Sequence, residues 1–389
     1  MPRLLHMADV HVGARHHDLG EAAAAQRERQ FAAFARAIEL ALAERVDLVL
    51  VAGDLFDSNT QPRRSVERVA GELKRLAAAG VRGVIIPGTH DCYDESSIYR
   101  TYDLAALAGE KADSDAIVIL TPDRPEVVYT DLDLAVVARV FPTKRASASP
   151  LAGLPAPSKP TTWRVGMVHG SLRISGKVEQ DEVIFDEAEV GASGLDYLAL
   201  GHWHSFSQGR VGSTTWAYSG APEPVAVDQD GAGQVLLVTL TQEGGQRQVA
   251  LEARQVGRTR FSRIDLDASE VGSQDGLVRR MQELADPDLV LEARLIGVEP
   301  DTLDLHEDEI HRQLSPHFLR FRFRDLSVPP PLEGPLPSAE TIEGAFIRDL
   351  EGRIAAAEAA GDAGGAAELR ESLRLGRLLL EDPTRVTLV

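Results

Sequence analysis

Asp9, His11, Asp54, His90, His169, His202 and His204 each fall just after an apolar run that reads as a buried strand. Aspartate and histidine are the ligand set of Zn, Mn or Fe. Cys92 is the only cysteine, so thiolate clusters and internal disulfides are excluded. Two cations about 3.5–4 Å apart, bridged by a shared carboxylate and a water, would clamp an in-line displacement at phosphorus. A lone Asp-x-His or His-x-His says little, and a lone pair of that kind more often reflects polar packing. The ordered set is more specific, because gathering acids and histidines without a metal costs like-charge repulsion and desolvation.

The elements that must position these groups are legible in order. Residues 3–8 form a short strand ending at Asp9-Val10-His11. Glu21 to Arg45 carries Phe31, Phe34, Ile38 and Leu42 at helical spacing. Residues 47–52 are a continuous apolar run of the two-side-buried, parallel kind, ending at Gly53-Asp54-Leu55-Phe56-Asp57. Ser65 to Ala79 repeats the helical pattern with Val66, Val69, Leu73 and Leu76, and residues 81–86 lead to Gly88-Thr89-His90-Asp91. Strand–helix–strand–helix–strand implies right-handed βαβ units. Their C-terminal strand ends are where open α/β sheets hold active sites.

Strands are expected at 116–120, 126–129 and 133–141, then at 163–168, before His169-Gly170, and 195–200, before Gly201-His202-Trp203-His204. Further strands at 215–218, 225–227 and 234–240 finish a first domain, 1–255. Residues 256–328 alternate strand (261–266), helix (276–285), strand (289–297), helix (305–313) and strand (318–325), a small α/β module. A Pro-rich linker, 329–337, precedes a helical segment, 338–389. There Ser338 is placed to cap a helix with Ile342, Phe346, Leu350 and Ile354 on one face, Gly361 to Gly365 break it, and 366–380 form a second helix.

Acidic residues number 60 against 41 basic, for a net charge of −19. That argues against a surface built wholly for nucleic acid, though bound cations and a local basic strip can offset it. No apolar run is long enough to span a bilayer, and the N-terminus enters a strand without a signal-type apolar region, so the expected location is cytoplasmic.

Together, Asp9-Val10-His11, Gly53-Asp54, Gly88-Thr89-His90-Asp91, His169-Gly170 and Gly201-His202-Trp203-His204 resemble the ordered motifs of the calcineurin-like metallophosphoesterases. Gly53-Asp54-Leu55-Phe56-Asp57, the later module and the C-terminal helices are similar to the SbcD-type DNA double-strand-break repair nucleases, including the YhaO-like branch. The resemblance implies an α/β fold: a four-layer αββα metallophosphoesterase sandwich with a small α/β capping domain and a C-terminal helical hairpin. It implies two Mn²⁺ ions. Asp9, His11, Asp54 and His204 would hold the first, and Asp54, position 89, His169 and His202 the second. His90 would face the scissile phosphate as a catalytic residue, oriented by Asp57. The implied activity is a Mn-dependent DNA nuclease, exonuclease or endonuclease. The implied partners are DNA, an SMC-like coiled-coil ATPase of the SbcC type that engages the C-terminal helices, and a second copy in a homodimer. A nucleotide or other small phosphoester as substrate, or a catalytically weak scaffold, are the alternatives.

The family has Asn where this chain has Thr89, a shorter and weaker ligand. Residues 319–324 alternate Leu319, Phe321 and Phe323 with Arg320, Arg322 and Arg324, which gives either a ridge for phosphate contacts or a solvated strand face. Trp203 and Cys92 fit simple packing.

Overall fold

The computed structural model describes residues 1–381 except 175, 177, 179, 227, 228, 230, 298–302 and 328–336, so most of the expected linker lies outside the described residues. Two compact units are present, Met1–Phe261 and Ser262–Val389.

In the first unit, strand β1 (Arg3–Met7) leads to helix α1 (Ala23–Ala43), β2 (Leu48–Ala52), α2 (Arg63–Ala78) and β3 (Arg82–Ile86). Short helices α3 (Ile98–Thr101) and α4 (Leu104–Leu107) precede β4 (Ile117–Ile119), β5 (Glu126–Tyr129), β6 (Leu134–Ala138) and β7 (Trp163–His169). After β8 (Ser171–Leu172), β9 (Ile184–Phe185) and α5 (Glu187–Ala192) come β10 (Tyr197–Gly201), β11 (Ser207–Val211), β12 (Thr214–Tyr218), β13 (Gln234–Glu243) and β14 (Gln246–Gln255).

Two six-stranded sheets result, ordered β14-β13-β1-β2-β3-β4 and β11-β12-β10-β7-β6-β5. β1 to β4 are mutually parallel, as are β6, β7, β10 and β12. The sheets pack face to face: Leu48, Leu50, Val84 and Ile86 from one meet Val136, Val165, Met167 and Tyr197 from the other in one buried cluster. Phe34 and Ile38 of α1 and Val66, Val69 and Leu73 of α2 cover the outer face of the first sheet. Val190 of α5 with Leu151, Leu172 and Phe185 covers that of the second. That is the four-layer αββα arrangement expected.

Details depart from the sequence pattern. Phe31 and Leu42 stay partly exposed, because Ala33, Ala37 and Ala41 let α1 lie close to the sheet with Phe34 and Ile38 inward. Val225 and Ala226 are not in a strand; their N–H groups donate to a side chain, Gln229 Oε1. Strand β14 is too polar to read from hydrophobicity (Gln246 to Gln255), yet it pairs with β13 along its whole length.

In the second unit, β15 (Arg260–Asp267, its first two residues counted in the first unit), α6 (Gln274–Gln282), β16 (Asp286–Ile296), α7 (Glu307–Leu314) and β17 (Phe318–Asp325) give a three-stranded sheet, β15-β16-β17. Leu277, Met281, Ile310 and Leu314 of its helices pack on Leu291, Leu295, Phe321 and Phe323. Helices α8 (Ile342–Ala359) and α9 (Ala363–Glu381) follow. Thr341, not Ser338, caps α8 by accepting from Gly344 N–H at 3.0 Å. Ile347 replaces Phe346 on its most buried face, and Ile342 is 82% exposed. The break is shorter than expected, since Asp362 accepts the Gly365 N–H at 2.9 Å and starts α9 two residues after Gly361. Among the described residues, no helix is long and apolar enough to cross a membrane.

Candidate metal centre

Parallel strands place their C-terminal ends on one rim. Asp9 and His11 follow β1, Asp54 and Asp57 follow β2, Thr89 and His90 follow β3, His169 ends β7, and His202 and His204 follow β10. The chain must reverse sharply to aim these groups inward. Asp9 (φ 55°), His11 (50°), Asp54 (50°) and His202 (104°) all lie at positive φ, which side chains rarely adopt and which concentrates at functional sites.

Backbone donors then fix the carboxylates. The Asp9 carboxylate accepts the His202 N–H at 3.0 Å, and Asp54 Oδ1 accepts the His90 N–H at 2.8 Å. The loops tie to each other through Asp9 N–H to Gly53 O (3.1 Å) and His11 N–H to Asp54 O (3.0 Å). Space is tight. A Cβ at Gly88 would lie 2.2 Å from Asp54 Oδ1, and one at Gly53, itself at φ 93°, would lie 2.2 Å from His169 Nδ1.

Two close approaches define the centre. His11 Nε2 and His204 Nε2 are 3.1 Å apart, with His11 Nε2 also 3.8 Å from Asp54 Oδ2. His169 Nε2 is 3.1 Å from Asp54 Oδ2, yet this buried nitrogen has no aligned hydrogen bond. Its Nδ1 points to the Ala52 carbonyl at 3.0 Å; a carbonyl only accepts, so Nδ1 carries the proton. In a neutral ring a lone-pair nitrogen therefore faces a carboxylate oxygen, which is repulsive unless a proton or a cation lies between them. Donor atoms about 3 Å apart match neighbouring ligands of one ion with bonds of about 2.1 Å. Oxygen and imidazole donors such as these suit a divalent transition metal. Asp9, His11 and His204 form one group able to hold an ion, and Asp9, Asp54 and His169 another.

The electrostatics agree. Burial disfavours charge on His169, but Asp54 and Asp9 outweigh it and hold the imidazole up to about 10. Burial likewise opposes ionisation of Asp54, but His169 and His11 keep its carboxyl well below the usual range. Burial is outweighed in the same way at His11, raised by Asp57 and Asp54. Burial, with His11 adjacent, holds His204 below its ordinary value. Without an ion, a proton on His169 supplies the missing positive charge.

The other expected residues are placed as follows. Thr89 is 6% exposed, between two residues whose N–H groups donate to Asp91 and Asp54. His202 Nε2 sits 3.2 Å from Asp181, and its ring lies 5.2 Å from that of His169. The Asp57 carboxylate lies nearer His11 Nδ1 (3.4 Å) than His90 Nδ1 (3.9 Å), and its backbone carbonyl accepts from His90 Nδ1 at 3.0 Å. His90 itself is half exposed. Beside it opens a recess of about 440 Å³ lined by His11, His16, His17, Gln30, His90 and His204. Trp203 stacks on Tyr218 at 4.4 Å and donates to Ser171 Oγ, as packing requires. Cys92 is buried, its thiol pushed up to about 11 by burial.

Sequence patterning missed three residues. Asp91 is fully buried and accepts from Gly88 N–H (2.7 Å), Phe56 N–H (3.1 Å) and Tyr99 O–H (2.5 Å), locking the β2 and β3 loops together. Burial, with Asp54 nearby, raises its carboxyl. Its signal was the Thr-His-Asp triplet. Asp181 and Gln229 sit in polar segments with no signal. Asp181 also accepts from Ser171 O–H, and Gln229 Nε2 is 2.7 Å from His204 Nδ1. In the second unit, described by itself, Arg324 pairs with Glu292 at 3.1 Å, Arg322 is exposed and Arg320 is half-buried.

Comparison with known proteins agrees with this geometry. The profile of the calcineurin-like phosphoesterases matches residues 2–206. The DNA double-strand break repair protein Mre11 of Aeropyrum pernix is 30% identical over 287 residues, 72% of this chain and 67% of that protein. Mre11 of Saccharolobus solfataricus is 25% identical, over 53% of this chain and 50% of that protein. The uncharacterized metallophosphoesterase YhaO of Bacillus subtilis is 26% identical, over 51% of this chain and 48% of that protein. The chain thus spans about half the length of these last two relatives. With a profile match over more than half its length and a metal-fitting cluster at its strand ends, the chain belongs to the calcineurin-like phosphoesterases, metal-dependent hydrolases, in the Mre11 and SbcD branch.

Proposed function

We propose that the protein is a Mn-dependent DNA repair nuclease that hydrolyses phosphodiester bonds at a two-metal centre. One observation carries this reading: the buried His169 Nε2 faces Asp54 Oδ2 at 3.1 Å, a pair that needs a proton or a cation between its atoms, beside the His11–His204 pair. Asp9, His11, Asp54 and His204 would hold one ion; Asp54, Thr89, His169 and His202 would hold the other. His202 would use Nδ1, because Asp181 engages its Nε2, a carboxylate–histidine–metal arrangement that fixes the ring. When bound, the ions supply Lewis-acid stabilisation of the phosphoryl oxygens and an activated water.

The chain's own groups do the rest. His90 donates a hydrogen bond from Nδ1–H to the Asp57 carbonyl, which leaves Nε2 for the substrate. The Asp57 carboxylate lies 3.9 Å from Nδ1, and Nε2 is the atom that would face the leaving oxygen.

DNA as substrate draws support from relatives named for double-strand break repair and from the sheet of the second unit. There Arg263, Arg294 and Arg324 pair with Asp265 and Glu292, while Arg320 and Arg322 add further positive charge on the same strand, in a chain that is −19 overall. An SMC-like ATPase of the SbcC type is the partner we assign to α8 and α9, in a cytoplasmic setting. A small phosphodiester is the second reading, favoured by the net charge and by the recess beside His90.

The test is cleavage of linear duplex and single-stranded DNA with Mn²⁺, beside bis(p-nitrophenyl) phosphate. DNA cleavage supports the nuclease. Turnover of the small ester without any DNA cleavage would overturn it.

A further inference from the structure

Gln229 is held on both sides. Its Oε1 accepts the N–H groups of Val225 (2.8 Å) and Ala226 (3.2 Å), and its Nε2 lies 2.7 Å from His204 Nδ1. A side-chain amide accepts only through its oxygen, so the two N–H donors fix which way it faces. The NH₂ then donates to His204 Nδ1, which must offer a lone pair. In a neutral ring the proton is consequently on Nε2, the nitrogen 3.1 Å from His11 Nε2.

A protonated nitrogen cannot ligate a metal. If His204 Nε2 is to hold an ion, as proposed above, the ring proton must move from Nε2 to Nδ1, and Nδ1–H then needs an acceptor. Gln229 Oε1 can supply it only if the amide turns over, which withdraws oxygen from Val225 and Ala226. Described neighbours are fastened elsewhere: Gln26 Nε2 donates to Pro224 O at 2.9 Å, Ala221 N–H to His204 O at 2.9 Å and Ala232 N–H to Gln229 O at 3.1 Å.

We infer that Gln229 is a positioning residue that selects the His204 tautomer and thereby couples metal ligation to the hydrogen bonds of the Val225 and Ala226 N–H groups. In the metal-free protein the Val225 and Ala226 N–H groups are satisfied and His204 is set against ligation. In the loaded protein His204 is set for ligation and Val225 and Ala226 give up their two hydrogen bonds to Gln229. The inference rests on His204 being a metal ligand.

Gln229→Glu tests it without changing size. A carboxylate accepts on both sides, keeping Val225 and Ala226 N–H with one oxygen and taking Nδ1–H with the other. Imidazole ¹⁵N shifts of the metal-free proteins should show His204 protonated at Nε2 in wild type and at Nδ1 in Gln229→Glu. Mn²⁺ should bind the variant about 10-fold or more tightly, the scale of changes in a ligand's hydrogen-bonding partner. Hydrogen exchange at Val225 and Ala226 should speed up on adding Mn²⁺ to wild type and not to the variant. A purely electrostatic effect of the added charge would tighten Mn²⁺ without moving the tautomer. The same tautomer in both proteins would therefore overturn the inference and leave the metal centre standing. Unchanged Mn²⁺ affinity in His204→Ala would instead remove the metal assignment, and the inference with it.

Discussion

Gly201 is the point where the two sheets close on the metal centre, and Gly201→Ala should damage both fold and site. An added Cβ would lie 2.0 Å from Ala52 O, 2.8 Å from Ala8 Cβ and 2.9 Å from His169 Nδ1. Ordinary contact begins at 3.4 Å, so the backbone at Ala52 must retreat by about 1.4 Å. No flexible side chain can absorb that. Ala52 O also accepts the His169 Nδ1 proton, and Asp54 lies two residues on, so the displacement reaches the cluster directly. Overpacking of this kind costs about 1–3 kcal/mol. For a unit of this size that is a fall in Tm of roughly 2–12 °C. Misplacing catalytic groups by about 1 Å costs on the order of 100-fold in rate. Gly71→Ala is the control: it lies within α2 with nothing within 4 Å of the new Cβ. That change should stabilise by up to about 1 kcal/mol and leave activity alone. The readouts are thermal unfolding, Mn²⁺ calorimetry and phosphodiester turnover. A Gly201→Ala protein that melts, binds Mn²⁺ and turns over like wild type would refute the close approach of the sheets.

Three further outcomes are expected. His90→Ala should abolish turnover while metal content is unchanged; loss of metal would place His90 among the ligands instead. Thr89→Asn should tighten the second Mn²⁺, and unchanged affinity would show that position 89 does not ligate. Burial pushes His6 down to about 3, with only partial relief from the Leu200 backbone, and its Nδ1 is 2.8 Å from Tyr197 O–H. The unfolded chain therefore takes up a proton below about pH 6.5 that the folded chain refuses until about pH 3, so stability falls as pH falls through that window. Between pH 7 and pH 5 this amounts to about 2 kcal/mol. Urea unfolding of wild type and His6→Leu at both pH values measures it, and identical pH dependence in the two would exclude His6 as the cause.

The fold and family were legible because one physical signature repeats. A parallel strand buried on both faces reads as an unbroken apolar run, and here five such runs are followed within four residues by Asp or His. The polar face of β14 hid a paired edge strand, and small alanines hid the true contact face of α1. Positive φ at Asp9, His11, Asp54 and His202 leaves no trace in residue type, since none is glycine. Asp91, Asp181 and Gln229 gain their roles only when separate loops meet, and single-chain spacing carries no record of that. Thr341 outcompeted Ser338 as a cap because the chain from Ser338 turns first, its carbonyl accepting the Thr341 N–H at 3.0 Å.

The most direct measurement of the metal centre is Mn²⁺ stoichiometry by calorimetry on metal-free wild type and Asp54→Asn. Asp54 lies 3.1 Å from His169 Nε2 and 3.8 Å from His11 Nε2, between the two groups of donors. Two ions per chain in wild type, with both sites weakened in Asp54→Asn, are expected of a shared bridging carboxylate. No Mn²⁺ in wild type, or two ions held equally well by Asp54→Asn, would contradict a two-metal centre at these strand ends.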